Sequence, residues 1–544
     1  MKSFTISGQL ADISSRETYP CTIRVENGVI ARIERTKEAP PHFIIPGFVD
    51  AHVHVESSML VPSEFARLAV VHGTVSTVSD PHEIGNVLGK EGVKYMIENG
   101  KKVPFKFAFG APSCVPATIF ETAGDSIDSN DVRELLEMEE IPYLAEMMNW
   151  PGVLHGDDEV YRKIAIAKEL GKPVDGHSPG LRGENAKKYI EAGISTDHEC
   201  FTAEEAMDKL KYGMKILIRE GSAARNFEAL AELLHDHSDM MMLCSDDKHP
   251  DSLEQGHINQ LCARAVAKGI DVYKVLKAAC INPVEHYNLP VGQLKPGDPA
   301  DFVLLHDLKN FNVHKTYIDG RLVAEEGKTL IEPVENKVIN RFDCSPKSAA
   351  DFKLAPAGGS VNVIEALDGE LITNRLQAQA HVDDENVVSD VENDILKLTV
   401  VNRYENADPA ISFIKNFQLK EGALASCVGH DSHNIIAVGC DDESLCRAIN
   451  LIIENKGGIS AVGIGKDMVL PLPVAGIMSA DDGYEVARRY EEIDRFAKEL
   501  GSSLESPFMT LSFMALLVIP SVKLSDKGLF DGDKFTFIQP FASQ

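Results

Sequence analysis

At 544 residues the chain is too long for one compact core and calls for two or three domains. Hydrophobic residues at 44% and charged residues at 25% exclude a disordered chain. A formal net charge of −29 repels phosphate backbones and anionic membranes, so a small neutral or weakly cationic partner suits this surface better than nucleic acid or a bilayer. From residue 1 to 45 the pattern is β-like: the runs 22–25 and 29–33 flank Asn27-Gly28, a pair that favours a tight hairpin turn. The first eight residues lack the apolar core of a secretory signal. Ten cysteines without a Cys-x-x-Cys pair read as reduced thiols, so the expected location is the cytoplasm.

The middle of the chain, 46 to 290, alternates apolar runs with helical patterns. The runs are 43–45, 75–78, 105–109, 143–145, 173–175, 193–196, 215–218 and 240–243, and a representative helix spans 158–170, closed by Gly171. Strand–helix alternation makes a parallel sheet, and eight repeats over some 250 residues predict a closed (β/α)8 barrel of the α/β class. The β pattern returns at 301–305 and 317–323, so residues 1–45 and 291–345 are expected to form one small β domain. Pro346, Pro356, Gly358 and Gly359 punctuate a linker, and 346–544 is expected to be a C-terminal α+β domain. The apolar run 513–519 stops at Pro520, too short to span a bilayer, and reads as a buried element.

Candidate chemistry gathers at the ends of the barrel runs. With 18 histidines, somewhat under one His-x-His pair is expected by chance, and the chain has two. His235 and His237 sit in a helical or loop context and read as solvated. His52 and His54 are two apart at a strand end, so both rings face one side and can grip one ion, with Asp50 beside them as a supporting partner. Glu146, His177, His198 and Asp246 each follow a later run at the same barrel end. Strand alternation lets only one of Asp246 and Asp247 face the metal, and the Ser-Asp order at 245–246 favours Asp246. His249 is a further candidate for the mouth. So is the 80–83 loop, whose alternative is an ordinary Asp-Pro turn.

The stretch Pro46-Gly47-Phe48-Val49-Asp50-Ala51-His52-Val53-His54, with later single histidines and an Asp after the eighth run, resembles the amidohydrolase superfamily. The motifs Ser79-Asp80-Pro81-His82-Glu83, Gly176-His177-Ser178-Pro179-Gly180, Asp197-His198-Glu199-Cys200, Cys244-Ser245-Asp246-Asp247 and Val428-Gly429-His430-Asp431-Ser432-His433 narrow the likeness to the adenine deaminases, over nearly the whole chain. The resemblance implies two divalent ions held by His52, His54, Glu146, His177, His198 and Asp246. A donor set without thiolate suits Mn2+ or Fe2+, with Zn2+ also compatible. It also implies hydrolysis of adenine to hypoxanthine and ammonia through a metal-bound hydroxide attacking C6, with Asp246 as acid/base. Glu83 is expected to serve catalysis and to bind substrate with His82, Asp80 and Arg182, Arg182 being as readily structural. His430 and His433 are left between a further metal site, a lid and a surface turn. A homo-oligomer, most simply a dimer, is expected. Two other readings stay open: a related amidohydrolase acting on another cyclic amidine or amide, and a purine- or metal-binding protein without turnover.

Overall fold

The computed structural model describes residues 3–463 and 465–542, so residues 1–2 of the expected small β domain and residues 464 and 543–544 of the expected C-terminal domain lie outside it. The chain begins with β1 (Phe4–Asp12), β2 (Glu17–Glu26), β3 (Val29–Arg35) and β4 (Phe43–Pro46). Asn27 and Gly28 take φ of 51° and 84°, the paired left-handed turn that the Asn-Gly signal predicts between β2 and β3. These strands share one sheet with four strands from beyond the barrel (introduced below), so both flanks of the barrel segment build one layer.

Eight strands follow: β5 (Phe48–Val53), β6 (Thr74–Ser79), β7 (Lys106–Phe109), β8 (Leu144–Met147), β9 (Val174–Gly176), β10 (Thr196–Asp197), β11 (Lys215–Arg219) and β12 (Met241–Cys244). Their ladders are all parallel, and isolated parallel bridges Ala111–Leu144, Val174–Ile194 and Val53–Asp246 join the pieces into a closed ring. The seam between last and first strand is made by Asp246, whose N–H donates to His52 O at 2.9 Å and whose carbonyl accepts from His54 N at 3.2 Å.

One expected strand moves. Residues 43–45 do not open the barrel: β4 pairs with β1 and with β13 (Phe302–Leu305) in the small sheet, and the first barrel strand is β5. The chain changes sheets at Pro46-Gly47, where Gly47 lies so close to the Val75 side chain that any Cβ would collide with it. The small sheet is completed by β14 (Val313–Ile318), β15 (Arg321–Glu325) and β16 (Lys328–Thr329), in the order β16-β15-β14-β13-β4-β1-β2-β3.

Helices pack outside the ring. The predicted one spans Asp158–Glu169, capped by the Asp157 carboxylate accepting from Glu159 N and Val160 N, and buries Val160, Ile164 and Ala167 along one face. Residues 360–471 form a mixed eight-stranded sheet with Ala423–Ser426, Ile435–Gly439 and Leu396–Val401 at its centre. Helix Asp442–Asn455 lays Leu445, Ala448, Ile449 and Ile452 on that sheet. The 513–519 run is buried, as expected, apart from the half-covered Val518. No helix among the described residues is long and apolar enough to cross a membrane.

Candidate metal centre and active site

The ligands expected from the sequence converge at the C-terminal mouth of the barrel. His52 and His54 project from one side of the end of β5 with Nε2 atoms 3.3 Å apart. Glu146, on β8, is the hub. Its Oε2 lies 3.0 Å from His177 Nδ1 and 3.2 Å from His198 Nε2, and its Oε1 lies 3.4 Å from His54 Nε2. Asp246 Oδ1 stands 3.3 Å from His52 Nε2 and 3.1 Å from His54 Nε2. All six are buried.

This geometry fits divalent ions. Bonds of about 2.0–2.1 Å at tetrahedral angles set neighbouring ligand atoms roughly 3.3 Å apart, the spacing found here. Overlapping groups of potential donors, such as His52, His54 and Asp246 beside His52, Glu146 and His198, share residues as a two-ion centre would. His177 Nε2 is buried without a hydrogen-bond partner, a costly arrangement unless something charged faces it. His54 Nδ1 lies 3.1 Å from the Asp80 carbonyl, which fixes the tautomer and leaves Nε2 free as a ligand. Asp50 supports the backbone: it accepts from Ser245 N and His52 N and pairs with His257 Nε2 at 2.8 Å, tying the first strand to the last.

The 80–83 loop divides in two. Asp80 and His82 join the donor cluster, with His82 Nδ1 3.5 Å from Glu146 Oε1. Glu83 turns the other way, where His430 Nδ1 meets one of its oxygens and His433 Nε2 the other. Burial alone would raise the Glu83 carboxyl, but the His430, His433 and His82 rings override it and hold it well below the ordinary range. Burial lowers the His430 ring, yet Glu83 and Asp247 push it up to about 9. The 430–433 turn is therefore a buried wall of the site, with Asp431 Oδ1 3.5 Å from His82 Nε2. Met148, Leu371 and Leu516 supply apolar surface to the same cavity.

Three expectations change. Arg182 is exposed at the start of helix Gly183–Glu191 and lines a separate surface hollow, because the Gly180 turn carries it outward. The guanidinium at the centre belongs to Arg219, at the end of β11, which donates to Asp246 Oδ2 at 2.8 Å and to Glu199. Asp247 does not face away from Asp246. Asp246 has φ 56°, in the left-handed region, which breaks strand alternation and lets both carboxylates line the cavity. Asp247 Oδ1 accepts from Ser57 Oγ at 2.5 Å. His249 is buried edge-on against Tyr490 and is not among the residues lining that cavity.

Sequence reasoning also missed Glu199, 3.3 Å from His198 Nε2. Burial would raise it, but Arg219 and His177 lower it to about 2. Its adjacency to His198 was the one available signal. His235 and His237 are half-exposed, away from the centre. A wider groove at the opposite barrel end, lined by Tyr19, Tyr273, Lys274 and Lys277, holds none of these ligands.

A closed parallel barrel with imidazoles from several strand ends around one carboxylate defines a metal-dependent hydrolase of the amidohydrolase type, and the amidohydrolase family model matches residues 43–323. The adenine deaminase C-terminal domain model matches residues 370–536. The adenine deaminase of Salinibacter ruber is 55% identical, covering 99% of both chains. That of a Sulfurovum species is 56% identical over 97% of this chain and 98% of its own. That of Borreliella burgdorferi is 49% identical over 99% and 100%. The chain belongs to the adenine deaminase family.

Proposed function

We propose that the protein hydrolyses adenine to hypoxanthine and ammonia in purine salvage. The observation that carries this is the Glu146 hub, with Asp246 on one side and the His430–Glu83–His433 bracket on the other, in a chain about half identical to adenine deaminases. His52, His54, Glu146, His177, His198 and Asp246 would hold two divalent ions, with Asp80, His82 and Glu199 within reach. The nitrogen- and oxygen-rich, thiolate-free set favours Mn2+ or Fe2+ and accommodates Zn2+. Bound there, such ions lower the pKa of a water and supply the nucleophile at neutral pH.

The side chains do the rest. Arg219 fixes Asp246 Oδ2, leaving Oδ1 toward the histidines to accept the proton of the attacking water and return it toward the leaving amine. Glu83, a carboxylate paired with the protonated His430 ring, would relay that ring's proton to a purine ring nitrogen as C6 becomes tetrahedral, and the hydroxyl proton on C6 would replace it as ammonia leaves. Met148, Leu371 and Leu516 favour a flat, weakly polar ring and limit water. All ten cysteines are free thiols, which supports a reducing, cytoplasmic setting.

The test is ammonia release from adenine by protein purified without chelator, with its metal content measured, before and after loading with Mn2+. No turnover above background refutes the reading. Guanine, pterins and hydantoins run in parallel separate it from a related amidohydrolase.

A further inference from the structure

A second group of imidazoles lies on the small sheet, outside the barrel centre. The strands β4, β13, β14 and β15 are consecutive neighbours, and each brings one metal-ligating residue to the same sheet end. His42 immediately precedes β4, His306 follows β13, His314 lies in β14 and Glu326 follows β15. The register aligns them: Leu305 pairs with Phe43 on one side and Val313 on the other, and Glu326 N donates to His314 O at 2.9 Å.

The side chains close on one another. Glu326 Oε1 lies 2.6 Å from His314 Nδ1, and Oε2 lies 3.4 Å from His306 Nε2. Ligand atoms of His306, His314 and Glu326 all fall within 4.8 Å of one another. The His42 ring stacks on His314 at 4.3 Å and stands 5.2 Å from His306. Among the described residues, His306 and His314 have no side-chain hydrogen-bond partner other than Glu326.

We propose that His306, His314 and Glu326, with His42 alongside, form a second cation site for a borderline transition ion such as Zn2+, Ni2+ or Cu2+. Two to three imidazoles with one carboxylate match those ions, whereas Mg2+ and Ca2+ need oxygen-dominated shells. The 3.4 Å between Glu326 Oε2 and His306 Nε2 is what a tetrahedral ion with bonds of about 2.0–2.1 Å requires, and the 2.6 Å hydrogen bond between His314 Nδ1 and Glu326 Oε1 opens as the ion binds. His306 and Glu326 are exposed, so water completes the shell and the ion exchanges with solvent. His42 precedes the barrel and the other three follow it, so an ion here staples the two flanks together and stabilises the folded chain by mass action.

The experiment uses full-length protein whose barrel centre is already loaded with Mn2+ and adds Zn2+ alone, comparing wild type with His306→Ala/His314→Ala. Equilibrium dialysis is expected to show one further Zn2+ per wild-type chain than per variant chain. Zn2+ should raise Tm in wild type only. With Cu2+ as the probe, electron paramagnetic resonance should show nitrogen splitting that the variant loses. Adenine turnover without added Zn2+ should match wild type, since none of these residues touches the centre. Equal zinc uptake by the two proteins, or a copper signal without nitrogen, overturns the proposal. If the double variant does not fold, Glu326→Gln decides: weaker Zn2+ uptake supports the site, and unchanged uptake overturns it.

Discussion

Glu83→Gln isolates one proton from everything else in the site. Gln has nearly the same shape, and its amide oxygen can still accept one of the two histidine contacts that hold Glu83. What disappears is a buried carboxylate kept charged by His430, His433 and His82. Positioned acid–base groups contribute about 10²–10⁴-fold, so kcat should fall by that factor, or about 2.7–5.4 kcal/mol in barrier height. Glu83 is not among the six proposed ligands, so metal content should stay at the wild-type level. The assay is steady-state ammonia release from adenine at matched metal occupancy, with circular dichroism as a check on folding. A Gln variant within about threefold of wild-type kcat would refute the assignment, since a positioned proton carrier is worth far more than that.

Three further outcomes follow from the same geometry. Asp246→Asn should retain metal at least in part yet lose turnover by several orders of magnitude, and normal activity would remove Asp246 from the mechanism. Arg219→Met strips the counter-charge from buried Glu199 and Asp246 and should cost about 3–5 kcal/mol in urea unfolding, so an unshifted midpoint would argue against a buried pair. Arg182→Ala, at an exposed position, should leave kcat/KM within about twofold of wild type, and a tenfold loss would return Arg182 to the site.

The parts of the site legible in the sequence were those set by local periodicity. His52 and His54 share a face because strand residues two apart do, and Glu146, His177 and His198 announced themselves by following apolar runs. Contacts across the fold left no such trace. Glu83 meets His430 across 347 positions, and only the assembled structure shows that the C-terminal region closes over the barrel mouth. Arg219 directly follows the 215–218 run, but nothing local shows that it reaches Asp246 on the next strand, and nothing local shows that Arg182 turns out to solvent. Residues 43–45 join the small sheet and not the barrel, and a short apolar run does not reveal which of two sheets it joins. Asp247 lines the cavity against the alternation rule because that rule presumes an extended backbone, and Asp246 is not extended.

The residue proposed to move the proton also fastens the barrel. Asp246 contributes its N–H and carbonyl to the seam between β12 and β5, so the ring closes through the same backbone that aims the carboxylate. A local opening that parted those strands would dismantle the centre without requiring the rest of the fold to open. Hydrogen exchange at the Asp246 and His54 amides should therefore report the lifetime of the active form, and heat inactivation should follow that opening instead of global unfolding. Replacement at this position has a backbone price as well: Asn tolerates the left-handed conformation, whereas β-branched residues would strain the seam itself.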